Sequence, residues 1–223
     1  MGKDFFSRKS KHDNIYTPYS MTEQLLENEK FDYNKTVLEP ACGNGAINKI
    51  LWKDNESTFK FGAFYDINFM RSENFLNENW HYNYIITNPP FSLWDKFVEK
   101  SKQVATEKFA FLGRLEFLTG IGRYYNLLYR QPSYPLTKVY IFVRKANLMF
   151  NTPKDIEKKH KLIPYYDLRE DGKYPAGMYH YAWFIFENAN LYEDKFYNDF
   201  IPNHIPVIKF IDNNKYILRS KDK

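Results

Sequence analysis

The residues best suited to chemistry begin with a tetrapeptide, Asn88-Pro89-Pro90-Phe91. Proline fixes its own φ and restricts the residue before it, so the carbonyls of this segment point in set directions. An aromatic amine is a poor nucleophile because its lone pair is delocalised into the ring. Accepting its two N–H hydrogens on the Asn88 side-chain oxygen and the Pro89 carbonyl would localise that lone pair and aim it at an electrophilic methyl group. If the amine belongs to a planar base, Phe91 could stack on that base, which is worth roughly 1–3 kcal/mol. The alternative interpretation is that the tetrapeptide only forms a turn.

A second segment, Glu39-Pro40-Ala41-Cys42-Gly43-Asn44-Gly45, indicates a place for a nucleoside-bearing ligand. Gly43 and Gly45 let the backbone bend tightly and approach a ligand, and the following helix presents its first amides there. The segment lacks the third glycine of the dinucleotide fingerprint, which argues against a dinucleotide. Asp66 follows at roughly the 20-residue spacing at which an acid binds ribose hydroxyls. The alternative is that Glu39 caps a helix and the glycines only form a turn.

Alternating strands and helices must position these two segments. Hydrophobic patterns predict strands at 36–38, 59–65, 82–87, 109–112, 139–143 and 179–186, and helices at 25–28, 46–53, 93–106 and 117–128. The run Ser20-Met21-Thr22-Glu23 has the form of a capping box before the first helix. The alternation predicts a mostly parallel sheet with helices on both faces. In such sheets ligands bind beyond the carboxyl ends of the strands, where both segments and Asp66 fall.

Composition limits the class of protein. The chain has 223 residues and 26.9 kDa, which fits one α/β domain. Hydrophobic residues make up 43% and aromatic residues 19%, a globular and not a disordered profile. No apolar run approaches the roughly 20 residues that span a bilayer, and the N-terminus lacks an apolar signal core. We therefore expect a cytoplasmic protein with no membrane partner. The single cysteine, Cys42, excludes an internal disulfide, and the histidines show no zinc-like spacing with it, so no metal is expected.

The charge distribution favours a polyanionic partner. The net charge is +5 and the pI is near 9.0. Lysine and arginine are concentrated at 8–12, 158–161 and 219–223, although a solvated basic surface explains such clusters equally well. The irregular stretch 145–178 is rich in Lys, Asp and Pro, and 187–223 follows the last predicted strand as a C-terminal extension.

Together, these segments resemble the class I S-adenosylmethionine-dependent methyltransferases. The resemblance is to the DNA adenine N6-methyltransferases in which the cofactor motif precedes the catalytic motif. Tyr16-Thr17-Pro18 resembles the N-terminal cofactor motif, Glu39 to Gly45 the glycine motif, Asp66 the ribose-binding acid and Asn88 to Phe91 the catalytic motif. A weaker resemblance to small solitary or phage-type enzymes continues through residues 113–118, Arg123 and residues 181–183.

The resemblance implies a Rossmann-like class I methyltransferase fold: a mostly parallel seven-stranded sheet, helices on both faces and an antiparallel last strand. It implies one domain over 1–223, with 145–178 as candidate target-recognition insertion and 187–223 as extension. The implied cofactor is S-adenosylmethionine, and the implied cofactor-binding residues are Tyr16, Thr17, Pro18, Glu39, Pro40, Ala41, Gly43, Gly45, Asp66, Ile67, Phe75 and Asn88. The implied catalytic residues are Asn88, Pro89, Pro90 and Phe91. Candidate nucleic-acid contacts are Lys11, Arg114, Arg123, Lys158, Lys159 and Lys161.

The expected activity is methyl transfer to the N6 amine of adenine in DNA, with the target base flipped into the pocket. No general base is needed, because the methylated amine becomes acidic enough to lose its proton to solvent. Three alternatives stay open: an RNA adenine or other base amine as substrate, a protein glutamine amide, or a non-catalytic nucleic-acid-binding regulator. Glu193-Asp194-Lys195 also spells half of a nuclease motif, without a convincing upstream acid.

Overall fold

The structure is a computed structural model that describes residues 17–43, 45–52, 61–64, 73–125, 133–143, 145, 179–191 and 206–211, with only the backbone at 61–64, 73 and 74. Within these residues seven strands form one sheet: β1 (Thr36–Glu39), β2 (Phe61–Phe64), β3 (Tyr82–Thr87), β4 (Ala105–Arg114), β5 (Leu136–Phe142), β6 (Tyr181–Glu187) and β7 (Val207–Ile211). Their spatial order is β2-β1-β3-β4-β6-β5-β7.

The sheet is mostly parallel, as the sequence predicted. Strand β1 is parallel to β2 and β3, and β3 is parallel to β4. Strand β6 lies between β4 and β5 and runs antiparallel to both. The last predicted strand, 179–186, corresponds to β6 and is antiparallel as expected, whereas a further strand, β7, follows it and runs parallel to β5 at the sheet edge. Strand β7 comes from the predicted C-terminal extension, where no strand was expected; it extends the sheet by pairing with the edge that β5 leaves open.

Helices cover both faces of the sheet, which confirms the predicted layers. The α-helices in the described residues are α1 (Tyr19–Asn28), α2 (Ala46–Leu51), α3 (Glu73–Leu76), α4 (Trp94–Val104) and α5 (Ile121–Arg123), with 3-10 helices at Phe91–Leu93, Leu115–Leu118 and Ala189–Leu191. Met21 of α1 and Ile47 of α2 pack on one face with Val37, called the α1 face below. Trp94 and Phe97 of α4 pack on the opposite, α4 face. None of these described helices is long and apolar enough to cross a membrane.

Strand β6 lies inside the sheet and is buried along its whole length. Its alternate residues Tyr181, Trp183 and Ile185 pack on the α1 face, whereas Ala182, Phe184 and Phe186 pack on the α4 face. A strand covered on both faces requires a continuous apolar run, which explains its aromatic sequence. The Trp183 indole donates a hydrogen bond to the Met21 carbonyl at 2.8 Å, tying β6 to α1.

One local prediction is wrong. The capping box does not form, because α1 begins at Tyr19 and Ser20 lies inside the helix. Its N-cap is Pro18, which makes no side-chain cap, and the Pro18 carbonyl accepts from the Met21 amide at 3.1 Å. The segment predicted as mostly helical, 117–128, consists in its described part of a 3-10 turn and the short α5, which Gly120 separates with its φ of +101°. Residues 126–128 lie outside the described residues.

An ion-pair cluster joins the end of α1 to strands β4, β5 and β6. Glu29 follows α1 and contacts the ammonium groups of Lys108 on β4 and Lys138 on β5, at 2.6 and 3.1 Å. Glu187 on β6 contacts the same two lysines at 3.2 and 3.1 Å. The Tyr140 hydroxyl donates to Glu29 Oε2 at 2.7 Å, and burial raises the Tyr140 pKa. Both carboxylates are almost fully buried, and each is compensated by two cations.

Candidate active site

The strand order reverses between β1 and β3. From β1 the chain continues to its neighbour β2 on one side, whereas β3 is followed by β4 on the other side. Such a switch point opens a crevice at the carboxyl ends of the strands. Glu39 ends β1 and Thr87 ends β3, so the glycine loop and the Asn-Pro-Pro-Phe loop leave adjacent strands at the same edge.

A hydrogen bond joins these two strand ends. The Thr87 hydroxyl donates to Glu39 Oε1 at 2.6 Å, and both residues are fully buried. The Ala41 amide also hydrogen-bonds the Glu39 carboxyl, whereas Oε2 is buried without a hydrogen-bond partner. Burial raises the pKa of Glu39 to about 8, against the opposing effect of the Thr87 and Ala41 hydrogen bonds. Glu39 is therefore mostly protonated at neutral pH. It does not cap α2, whose N-cap is Gly45.

The glycines of the loop are required by the backbone. Gly43 and Gly45 have φ of +50° and +76°, a region that residues with a Cβ adopt at a cost. A Cβ built on either glycine meets no heavy atom of the described residues within 4 Å, so these residues leave open space beside both. The Gly45 amide donates to the Cys42 carbonyl at 2.7 Å and closes the turn. The preceding residues, Pro40 and Ala41, lie between β1 and this turn, and Ala41 packs against the core of the α4 face.

The side chain of Asn88 is held by a residue near the N-terminus of the chain. Its Nδ2 donates to the Thr17 hydroxyl at 3.0 Å, and both side chains are more than nine-tenths buried. Thr17 directly precedes Pro18, the N-cap of α1. The contact fixes the plane of the Asn88 carboxamide and directs its oxygen away from Thr17. The motif predicted to bind a cofactor thus meets the predicted catalytic motif.

The Asn-Pro-Pro-Phe loop is extended at Pro90 before it turns. Pro90 has φ −52° and ψ 129°, and its carbonyl accepts from the Leu93 amide at 2.8 Å. That bond begins the 3-10 helix Phe91–Leu93. Pro90 therefore uses its carbonyl within the backbone, whereas the predicted amine acceptor was the carbonyl of Pro89.

Phe91 belongs to a cluster of rings and one arginine. Its ring centroid lies 5.5 Å from that of Phe117, edge to face, and 6.1 Å from that of Tyr181, stacked. The Arg114 guanidinium lies over the Phe91 ring at 4.9 Å and over the Tyr179 ring at 3.9 Å. Arg114 also hydrogen-bonds the Tyr181 hydroxyl, which counteracts the effect of burial in raising the Tyr181 pKa. Arg114, predicted as a nucleic-acid contact, thus has its guanidinium among rings.

Arg123 contacts the same cluster of rings. Its Nε donates to Asp95 Oδ1 at 2.7 Å, and its guanidinium lies over the Phe117 ring at 4.6 Å. The sequence did not single out Thr87, Asp95 or Tyr179 as part of the site. For Thr87 a signal existed, a hydroxyl at the last position of a strand beside Asn88. Asp95 and Tyr179 carry no comparable signal, because only the packing of α4 and β6 brings them here.

The other predicted site residues divide into two groups. Phe75 is 2% exposed, and its ring centroid lies 4.8 Å from that of Phe97, so it is a core residue of the α4 face. Tyr16, Asp66, Ile67, Lys11, Lys158, Lys159 and Lys161 lie outside the described residues. In the described part of the chain, no group of three His, Cys, Asp or Glu side chains is placed to hold a metal ion.

The sheet order, with β6 antiparallel inside a mostly parallel sheet, defines a Rossmann-like methyltransferase architecture. A structure from Listeria monocytogenes, provisionally assigned as a class I S-adenosylmethionine-dependent methyltransferase, is similar with TM-score 0.56 and 11% identity over 94% of this chain and 70% of that chain. The chain therefore has the class I methyltransferase fold. No protein-family model matches it, and no curated protein matches its sequence.

Two further structures are less similar. One is a methyltransferase subunit of a type I restriction-modification system from Streptococcus thermophilus, with TM-score 0.47, 12% identity, and coverage of 93% of this chain and 52% of that chain. The other is a dimethyladenosine transferase from Plasmodium falciparum, with TM-score 0.43, 11% identity, and coverage of 80% of this chain and 65% of that chain. The chain spans about half the length of the Streptococcus subunit.

Proposed function

We propose that this protein is an S-adenosylmethionine-dependent methyltransferase that methylates the N6 amine of adenine in DNA. The observation that carries the proposal is the junction at the switch point. There the Glu39–Thr87 hydrogen bond joins the ends of β1 and β3, and the Asn88–Thr17 bond fixes the catalytic amide beside them. A cofactor loop and an amine-binding loop are thereby held next to each other, as methyl transfer between two ligands requires.

The residues beside the glycine loop fit a nucleoside cofactor that carries positive charge. Open space lies next to Gly43 and Gly45, where a backbone could approach the ligand. Glu39 Oε2 is buried without a hydrogen-bond partner, and a cation nearby would favour the ionised carboxylate. S-adenosylmethionine supplies an electrophilic methyl group on a positively charged sulfur. Thr17, Pro18, Pro40 and Ala41 would complete this side of the site, and Tyr16, Asp66 and Ile67 stay proposed contacts.

On the substrate side, the rigid loop would hold the adenine amine. The Asn88 side-chain oxygen and the Pro89 carbonyl would accept its two N–H hydrogens, which localises the nitrogen lone pair toward the methyl group. Phe91 would contact the base as one wall of the pocket, because its ring is partly buried within the aromatic cluster. The proton leaves from the methylated amine to solvent, so the chain needs no general base.

A nucleic acid is preferred over a protein amide because of the net charge of +5 and the resemblance of the Ala41-Cys42 context to the DNA-acting enzymes. DNA is preferred over RNA because the motifs together resemble the DNA adenine N6-methyltransferases. The test offers S-adenosylmethionine with a labelled methyl group to adenine-containing DNA, to RNA of the same sequence and to a glutamine-containing protein, followed by nucleoside and amino-acid analysis. We expect label in N6-methyladenine of DNA. Label in RNA or protein alone, or in no product, would refute the proposed substrate.

A matched pair of variants tests the mechanism. Asn88→Ala should lower kcat by at least about a thousandfold while the Kd for S-adenosylmethionine changes little, because the amine loses an orienting acceptor. Asn79→Ala removes the same amide from an exposed position and should leave both quantities unchanged. Equal kcat for Asn88→Ala and the wild type would remove the proposed mechanism.

A further inference from the structure

Arg114 lies at the junction between three chain segments of the candidate site. It ends β4, and its Cα is the direct partner of Tyr181 at the start of β6. Its side chain reaches the ring of Phe91, which follows β3, and the ring of Tyr179, which precedes β6. The Leu115 amide donates to the His180 carbonyl at 3.0 Å and continues the strand contact beyond Arg114. The backbone under the guanidinium is therefore held on both sides.

The contacts of the guanidinium differ from those of an exposed phosphate-binding arginine. It lies over two rings, at 4.9 and 3.9 Å, and it donates to the Tyr181 hydroxyl. Its Nε is buried without a hydrogen-bond partner. Arginine suits this position because its planar, permanently charged group can stack on an aromatic face and donate hydrogen bonds in its own plane at the same time. A lysine ammonium retains the charge but lacks the plane.

The ring of Phe91 packs, partly buried, against the cores of both sheet faces, and the guanidinium adds a charged contact to its face. Phe91 begins a three-residue 3-10 helix directly after Pro90, and its side chain is only partly buried. Phe117 contacts it edge to face, and Tyr181 stacks at a centroid distance of 6.1 Å. The Arg114 guanidinium is the charged contact among these. It links Phe91, which follows β3, to Tyr179 and Tyr181 on the other side of β4.

We propose that Arg114 is a positioning residue that fixes the ring of Phe91, and through it the base-binding wall of the site. This inference rests on the proposed function, because Phe91 is the proposed wall for the adenine. Arg114 acts through Phe91 and touches neither the cofactor nor the reacting amine. Its loss should therefore weaken base binding and leave cofactor binding intact.

The experiment compares Arg114→Met, Arg114→Lys and the wild type as full-length chains. Arg114→Met keeps the length of the side chain without charge or plane and should raise KM for an adenine-containing oligonucleotide about tenfold. The Kd for S-adenosylmethionine, measured by calorimetry, should stay within about twofold. Arg114→Lys should give an intermediate KM, because an ammonium still binds a ring face. Lys100→Met removes the same charge from a partly exposed position on α4 and controls for the loss of one cation on the chain.

A second readout does not depend on methyl transfer. It uses NMR of labelled phenylalanine in the chain alone, and Phe91→Leu assigns the Phe91 signals. The Phe91 ring resonances should shift in Arg114→Met and should not shift in Lys100→Met. If the wild type transfers no methyl group to DNA, the proposed function fails, while the NMR comparison still decides the role of Arg114. Unmoved Phe91 resonances, or an equal loss of cofactor and oligonucleotide affinity, would overturn the positioning role.

Discussion

Glu39 makes the stability of this protein depend on pH in an unusual direction. Burial raises its pKa to about 8, from an ordinary value of 4.5. Between these values the folded chain holds a proton that the unfolded chain releases. Stability therefore decreases as the pH rises from 4.5 to 8, and the loss is complete above 8. Most paired carboxylates have depressed pKa values and give the opposite slope.

The size of the effect follows from the two pKa values. Each pH unit inside this window costs up to about 1.4 kcal/mol. Integrated over the titration, the loss is about 2–3 kcal/mol between pH 5 and pH 7 and about 1 kcal/mol more by pH 8. Glu39→Gln removes the titration, since its amide is neutral, has nearly the same volume and can still accept from Thr87. The variant should thus gain stability relative to the wild type as the pH rises.

The assay is urea unfolding of wild type and Glu39→Gln at pH 5, 6, 7 and 8. Other titrating groups are common to both proteins, so the difference in unfolding free energy isolates Glu39. The same substitution at the exposed Glu116 shows what the loss of any one carboxyl does to the curve. A difference between wild type and Glu39→Gln that stays constant from pH 5 to pH 8 would show that Glu39 ionises normally and would refute the reasoning.

Three further perturbations test other parts of the structure. Thr17→Val removes the acceptor of the Asn88 amide and should lower kcat for methyl transfer about tenfold, whereas Thr17→Ser should retain it; equal rates would contradict the role of this bond. Gly113→Ala places a Cβ 2.7 Å from the Phe117 ring and should cost about 1–3 kcal/mol in urea unfolding; an unchanged midpoint would contradict the tight packing. Glu187→Gln leaves two lysines with only Glu29 and should cost about 2–4 kcal/mol in the same assay; a neutral result would mean that the cluster is solvated.

The parts of the fold that the sequence predicted are those fixed by local pattern. Strand β3 was predicted with its observed bounds, Tyr82–Thr87, because a short apolar run there stops at a proline segment. The helix predicted at 93–106 from its hydrophobic pattern corresponds to α4 (Trp94–Val104). Strand β7 was missed because Val207–Ile211 is short and mostly exposed. Its pairing with β5 is decided by tertiary contact, which local pattern does not contain.

The site shows the same division. The residues of the two loops could be named from the sequence, because each loop follows a strand that local pattern predicts. A parallel sheet then places both loops at the same edge. The partners of those residues could not be named from the sequence. Thr17 contacts Asn88 across 71 positions, and Arg114 meets Phe91 because β4 lies next to β3. Arg114 was predicted as a nucleic-acid contact, and the structure adds that its guanidinium lies over the rings of Phe91 and Tyr179.

The contacts at the switch point imply that the two halves of the site respond together. Glu39 and Thr87 are bonded, and Thr87 is followed directly by Asn88, whose amide is held by Thr17. A change in the charge of Glu39 alters the hydrogen bond that Thr87 donates, at the residue directly before the Asn-Pro-Pro-Phe loop. If a cationic cofactor favours the ionised carboxylate, its binding strengthens that bond, because a charged acceptor binds a hydroxyl more tightly than a neutral one. Cofactor binding and the rigidity of the Asn88 loop are then coupled through a single buried contact.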